Sequence, residues 1–170
     1  MESVAKQLVT NIDRKALVDL ACDLIRIPSP RAEETAVARW LAQYFAERGY
    51  DVDLQEVEPG RFQAIAMLRG IGGGKKLMLN GHLDNDPLSY GWKRDPWTPS
   101  VEGDLLYGAG SWNMKCGVAT MIAVAETGRG PIGVEKRKGA FFRLLGVVNP
   151  QPAARPGGHR RNAPWQSISG

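Results

Sequence analysis

The feature that most constrains this chain is an apolar stretch that stops abruptly at a glycine, an imidazole and a carboxylate. Residues 77–84 read Leu-Met-Leu-Asn-Gly-His-Leu-Asp. Leu77–Asn80 has the character of a buried strand, and a strand end is stiff enough to hold ligands in position, as a metal site requires. Asp84 lies two residues after His82, so an extended backbone turns both side chains to the same side. Asp84 is then placed to accept the second N–H of the His82 imidazole.

Length and composition favour one domain with a hydrophobic core. The chain has 170 residues, of which 43% are hydrophobic. No window approaches the roughly 20 apolar residues that span a bilayer, so we expect no membrane partner. The start, Met1–Lys6, lacks the apolar core of a signal peptide, and Cys22 and Cys116 form no disulfide framework. These features predict a cytoplasmic location.

The charge is unevenly distributed. The formal net charge is +4, and the basic excess falls after residue 126. A basic tail differs from a basic groove, so we expect no nucleic-acid partner. A weak, salt-sensitive affinity of residues 136–138 and 155–161 for nucleic acid is the alternative.

Periodicity predicts an α/β fold. Asn11–Ile27 has the pattern of an amphipathic helix capped by Asn11 or Asp13, and the prolines that follow end it. The further predicted elements are a helix with Glu33 and Glu34 in its first turn and Gly49 as its stop, strands over 50–55, 62–68 and 77–80, a helix over 114–125 and a strand over 140–148. The glycine-rich residues 70–75 are interpreted as a hairpin turn between two of these strands. Helices and strands in this order favour an α/β sandwich.

Three blocks of sequence, in this order, resemble one enzyme family. They are Gly81-His82-Leu83-Asp84, Trp92 with Asp95-Pro96-Trp97, and the run from Glu102 to Gly117 that contains Asn113-Met114-Lys115. The two leading helices and Ile27-Pro28-Ser29 belong to the same pattern. The family is the di-zinc metallohydrolases that include acetylornithine deacetylase, succinyl-diaminopimelate desuccinylase, aminoacylase and glutamate carboxypeptidase. The resemblance covers about residues 10–126 and extends at most to Val148.

The resemblance implies a fold and an activity. It implies part of a three-layer α/β sandwich, with residues 1–126 as the N-terminal part of a catalytic domain, 127–148 as a possible further strand, and 149–170 as a disordered basic tail outside the family. The lid domain of the family is expected to be absent. The implied reaction is hydrolysis of amide bonds in N-acyl amino acids or small peptides. The implied partners are a small-molecule substrate and, in intact members, a second copy of the chain.

The resemblance also assigns roles to three residues. It makes His82 a ligand of one of two zinc ions, with cobalt as a possible substitute, and Asp84 a catalytic residue that supports this ligand. Asn113 stands where the family has an aspartate that bridges both ions. Each also has a simpler interpretation, which is a structural histidine for His82, a turn cap for Asp84 and a helix cap for Asn113.

The sequence departs from the family after the last predicted strand. Gly146-Val147-Val148 is followed by Asn149-Pro150-Gln151, where the family has a Glu-Glu pair that supplies the general base and a ligand. The other histidine, His159, lies among glycines and arginines and is not predicted to bind zinc. We therefore expect little turnover by this chain. The alternative function is a non-catalytic remnant that binds a partner.

Overall fold

The computed structural model describes residue 6 and residues 9–69, 76–127 and 141–147. The helices are α1 (Arg14–Arg26), α2 (Thr35–Ala46) and α3 (Cys116–Thr127), and the strands are β1 (Asp51–Glu58), β2 (Arg61–Arg69), β3 (Lys76–His82), β4 (Ser100–Glu102), β5 (Leu105–Tyr107) and β6 (Phe141–Val147). The predicted α/β class is confirmed. None of the described helices has the length and apolar character that crossing a membrane requires.

A capping aspartate and a following proline explain where helix α1 begins and ends. The carboxylate of Asp13 accepts hydrogen bonds from the backbone amides of Lys15 and Ala16 at 2.8 and 3.1 Å, which satisfies donors that an uncapped helix leaves free. The helix ends at Arg26, and Pro28 follows the C-cap residue Ile27. Of the two predicted caps, Asp13 is confirmed.

The start of α2 differs from the prediction. The helix begins at Thr35, so Glu33 and Glu34 precede its first turn, and the side chain of Glu34 is fully buried. The guanidinium group of Arg61 donates hydrogen bonds to the carboxylates of both Glu34 and Glu58. The hydroxyl of Thr35 donates to Gly60 O at 2.8 Å, so the β1–β2 turn lies directly against the start of the helix. This packing removes Glu34 from water.

The larger sheet has the strand order β1-β2-β6-β3. Strand β6 is antiparallel to β2 and parallel to β3, and its Val147 lies in register with His82. The prediction that residues 70–75 make a hairpin between β2 and β3 is wrong, because β6 lies between these strands; residues 70–75 themselves fall outside the described part. Strands β3 and β6 are parallel and α3 lies between them in sequence, so the three form a βαβ unit.

Strand β3 is less buried than its composition predicts. Leu77 is 46% exposed and Met78 is 57% exposed, which contradicts the expectation of a buried strand. Within the described residues β3 pairs only with β6, so it forms one border of the sheet. A border strand has neighbours on one side only, and its side chains are correspondingly less covered.

The helices share one hydrophobic core with one face of the sheet. Buried side chains from all three helices pack in a single cluster with the even-numbered residues of β2, and these members include Leu24, Phe45, Ile122, Ala64, Ala66 and Leu68. The described residues therefore form two layers, helices on sheet. The third layer of the predicted sandwich is not found within them.

We expect the buried ion pair at the start of α2 to be important for stability. Glu34→Ala would leave the Arg61 guanidinium with fewer partners in a buried position, and breaking such a pair typically costs about 3–5 kcal/mol. Glu33→Ala is the matched control, because Glu33 is the adjacent residue and is exposed. Urea denaturation should show a large loss of unfolding free energy for Glu34→Ala and less than about 0.5 kcal/mol for Glu33→Ala. Equal losses would show that the buried pair is not special.

Candidate metal centre

The candidate site lies where β3 ends and the chain approaches α3. Gly81 makes this approach possible, since a Cβ atom there would lie 3.2 Å from Val118 Cγ2 and 3.3 Å from Met114 Cε. Such contacts are tighter than most Cβ atoms tolerate, so the absence of a side chain lets α3 and the preceding turn pack against the strand end. His82 and Asn113 are brought together by this packing.

His82 has an oxygen near each of its ring nitrogens. Nδ1 lies 3.0 Å from Asp84 Oδ1 and 2.9 Å from the backbone oxygen of Asp84. Nε2 lies 2.8 Å from Asn113 Oδ1, although the two residues are 31 positions apart in the chain. All three residues singled out in the sequence therefore meet at one place, and the His82–Asp84 arrangement matches the one expected from their spacing.

The proton positions on this imidazole follow from its neighbours. Both atoms near Nδ1 are acceptors, so Nδ1 carries the proton and donates it to Asp84. In neutral imidazole Nε2 then has a lone pair, and this lone pair faces the lone pairs of Asn113 Oδ1. Two acceptors directed at one point repel each other unless a cation or a proton lies between them, or the amide rotates to present its NH₂ group. The imidazole nitrogen is a usual zinc ligand, and the amide oxygen adds one neutral oxygen donor.

Asn113 is not the cap of a helix that begins at Met114. Helix α3 begins at Cys116, and an irregular turn over Ser111–Lys115 precedes it. Asn113 has φ −139° and ψ 95°, an extended conformation within this turn. Its side-chain oxygen lies beside His82, so the helix-cap interpretation is wrong.

Two contacts from the segment after α1 were not anticipated in the sequence. Ser29 is fully buried, and its hydroxyl lies 2.7 Å from Leu83 O and 3.3 Å from Asn85 Oδ1, both acceptors. The backbone N–H of Asn85 in turn donates a hydrogen bond to Ser29 O at 2.8 Å. Ser29 therefore holds the backbone on both sides of Asp84. A serine between two prolines reads as an ordinary loop residue, so its sequence carries no signal of this role.

Lys115 provides a second contact with the same segment. It is 2% exposed, and Nζ donates a hydrogen bond to Ile27 O at 2.6 Å. The ammonium group also lies 5.3 Å from the centroid of the Trp97 ring, within cation–π range. Burial lowers the pKa of Lys115 to about 8. Trp97 is half-buried.

The cysteine near the start of α3 is not activated. Burial raises the pKa of the Cys116 thiol above its ordinary value, with a smaller contribution from Cys22. A raised pKa disfavours the reactive thiolate form.

The described residues provide part of a metal site. An open cavity of about 420 Å³ is lined by Arg31, Asn80, Gly81, His82, Asp84, Asp86, Asn113 and Met114. No group of three His, Cys, Asp or Glu side chains in the described part of the chain is arranged to hold a metal ion. One imidazole nitrogen and one amide oxygen converge, whereas a catalytic zinc site uses three protein ligands. The donors present fit zinc in kind but are too few to complete a site.

Comparison with known proteins points to one family, although no family model matches. The chain is 33% identical over 116 residues to N-formyl-4-amino-5-aminomethyl-2-methylpyrimidine deformylase of Bacillus subtilis, covering 64% of this chain and 27% of that protein. It is 33% identical over 121 residues to succinyl-diaminopimelate desuccinylase of Sphingopyxis alaskensis, covering 69% and 31%. The chain thus spans about 30% of the length of these relatives.

A solved structure shares the fold of this chain. The crystal structure of an M20 family metallo-carboxypeptidase from Sulfolobus solfataricus superposes with a TM-score of 0.60 at 18% identity, covering 80% of this chain and 31% of that one. The sequence matches and the shared fold agree with the resemblance of the three sequence blocks. The chain is therefore a member of the M20 metallopeptidase family, a family of hydrolases, and corresponds to part of its α/β catalytic domain.

Proposed function

We propose that this chain is the part of a zinc-dependent amidohydrolase that holds one metal ion through His82 and Asn113. The proposed substrates are N-acyl amino acids or small peptides, in keeping with the names of the relatives. The observation that carries the proposal is the 2.8 Å approach of His82 Nε2 to Asn113 Oδ1, which brings an imidazole nitrogen and an amide oxygen together beside an open cavity.

Each residue of this group has a separate task. Asp84 accepts the Nδ1 proton of His82, which fixes the tautomer, orients the ring and makes Nε2 a better ligand. Asp84 therefore acts through His82, and this is the sense in which it is catalytic. Asn113 provides a neutral oxygen where the family has a carboxylate. A neutral amide compensates less of the positive charge, so we expect weaker metal binding than in a family member with aspartate.

Zinc bound here would supply Lewis acidity to an amide carbonyl and lower the pKa of water. The rest of the reaction needs a base to take a proton from that water. The resemblance expects the base after β6, whose carboxyl end lies beside that of β3 because Val147 is in register with His82. The sequence there is Asn149-Pro150-Gln151, without a carboxylate. The second zinc ion of the family likewise lacks its expected glutamate ligand.

We expect Asn113→Asp to strengthen zinc binding. A carboxylate facing Nε2 would add a negative charge at the metal and should raise the affinity about tenfold or more, which corresponds to ~1.4 kcal/mol. Asn80→Asp is the matched control, because Asn80 lines the same cavity but is not the residue that faces Nε2. Its effect should stay within about threefold, or ~0.6 kcal/mol.

Competition with a chromophoric zinc chelator would measure these affinities. His82→Ala should remove the binding, since it deletes the nitrogen ligand. If His82→Ala binds zinc as tightly as the unaltered chain, or if the two aspartate variants gain equally, the assigned ligands are incorrect.

We expect the chain alone to hydrolyse N-acetyl amino acids poorly in the presence of zinc. Loss of a general base typically lowers the rate about 10²- to 10⁴-fold. The measurement is release of free amine from a panel of N-acetyl and N-succinyl amino acids, with His82→Ala as the blank. Turnover well above this blank and comparable with that of an intact deacetylase would contradict the expectation.

Association with a partner is the second candidate function. It is favoured by Leu77 and Met78 on β3, which are 46% and 57% exposed at the border of the described sheet. Such a border offers backbone groups and apolar side chains to an added strand. The simplest partner to test is a second copy of the chain.

Sedimentation velocity over a range of concentrations would test this association. Met78→Lys should shift the chain toward monomer, because a charge on a border strand opposes strand addition. Val57→Lys on β1, where Val57 is 42% exposed, is the matched control and should leave association unchanged. A chain that is monomeric at all concentrations, or variants that behave alike, would exclude self-association through β3.

A further inference from the structure

The separation between His82 and Asn113 is not set by local sequence. The two residues belong to different segments, 31 positions apart, and only their side-chain atoms meet at 2.8 Å. The contact therefore depends on how the two segments are held relative to each other. Some other part of the structure must hold both segments at the required spacing.

The segment Ile27–Pro30, which we call the clamp segment, contacts both sides of the site. Toward the His82 side, the Ser29 hydroxyl donates a hydrogen bond to Leu83 O at 2.7 Å. The backbone N–H of Asn85 donates one to Ser29 O at 2.8 Å. Pro30 and Asn85 also form a parallel β-bridge. Asp84 is enclosed between these anchored residues, so the clamp segment fixes the backbone that carries the His82–Asp84 pair.

Toward the Asn113 side, the clamp segment is held by one long side chain. Lys115 Nζ donates to Ile27 O at 2.6 Å, and the Lys115 amide donates to Gly110 O at 2.9 Å. The turn that carries Asn113 is therefore fixed at its end and tied to the carbonyl that follows α1. Burying an ammonium group is costly unless hydrogen bonds and electrostatic contacts compensate it. The hydrogen bond to Ile27 O and the contact with the Trp97 ring hold the Lys115 ammonium group in place.

The clamp segment is itself rigid. It contains two prolines, Pro28 and Pro30, whose rings restrict the backbone, and Ser29 between them is fully buried. Ile27 and Ser29, which receive the two contacts, are only two residues apart. A short, stiff segment that touches both halves of the site can define the distance between them.

We propose that Ser29 and Lys115 are positioning residues that hold His82 Nε2 and Asn113 Oδ1 beside each other, at the proposed metal position, through the clamp segment. Neither residue supplies an atom that faces the metal position. This inference rests on the proposed metal site, and it adds that affinity depends on two buried contacts outside the ligand set. Outer partners of this kind are typically worth about 10- to 100-fold in metal affinity.

The test is a Co²⁺ titration of the full chain, followed by visible absorption, which reports both affinity and coordination geometry. Ser29→Ala and Lys115→Met should each weaken Co²⁺ binding about 10- to 100-fold and change the absorption envelope. Lys115→Gln has a side chain of the same length as methionine but keeps an N–H donor, so it should recover part of the loss. Circular dichroism would establish that each variant is folded.

Glu34→Ala is the control for destabilisation. It breaks a buried pair that does not line the cavity, so it should lower the unfolding free energy and leave Co²⁺ affinity unchanged. If Ser29→Ala and the folded Lys115 variants bind Co²⁺ as tightly as the unaltered chain, the positioning role is wrong. The same holds if Glu34→Ala weakens binding equally, because the effect would then be general loss of stability.

A metal-free measurement separates this inference from the proposed function. Long-range ¹H–¹⁵N NMR of the His82 ring reports which nitrogen carries the proton. In the unaltered chain we expect the Nδ1–H form that Asp84 stabilises, and in Ser29→Ala a mixture of forms. If the unaltered chain binds no Co²⁺, the proposed function fails, and the NMR comparison still decides whether Ser29 positions His82. Identical ring spectra would overturn that role.

Discussion

The site depends on the hydrogen bond between His82 Nδ1 and Asp84. With Asp84 at Nδ1, the ring is oriented so that Nε2 lies 2.8 Å from Asn113 Oδ1. The fold must hold two segments that are 31 positions apart to maintain this contact. In the proposed metal site these two atoms would bind one cation, and the fold brings them together before it binds.

The βαβ unit explains why the site lies at this end of the sheet. Parallel strands β3 and β6 have their carboxyl ends together, and the turn into α3 returns the chain to the same edge. Open α/β sheets generally bind ligands outside the carboxyl ends of their strands, because connecting loops gather there. His82, the last residue of β3, and Asn113, in the turn before α3, follow this rule. Gly81 permits the close packing that brings the two segments within hydrogen-bonding distance.

Local patterns predicted the elements but not their neighbours. The amphipathic period and the Asp13 cap of α1 are properties of adjacent residues, and the structure confirms them. The hairpin between β2 and β3 was predicted from the glycines that separate them, and it is wrong because β6 lies between the two strands. The exposure of Leu77 has the same origin, since burial of a strand depends on its position in the sheet. Strand order is set by contacts between distant segments, which periodicity does not encode.

The site, like the fold, could be predicted where adjacent residues determine it and not where distant segments do. The spacing of His82 and Asp84 was sufficient to predict their contact, because two residues on an extended backbone share one side. The approach of Asn113 was expected only through family resemblance. Ser29 and Lys115 lie in segments that resemble the family, but nothing in the sequence predicted their buried contacts, since serine between prolines is typical of a loop and lysine is rarely buried. A motif therefore identifies candidate ligand residues, whereas the buried polar contacts around them come from another part of the chain and leave no local pattern.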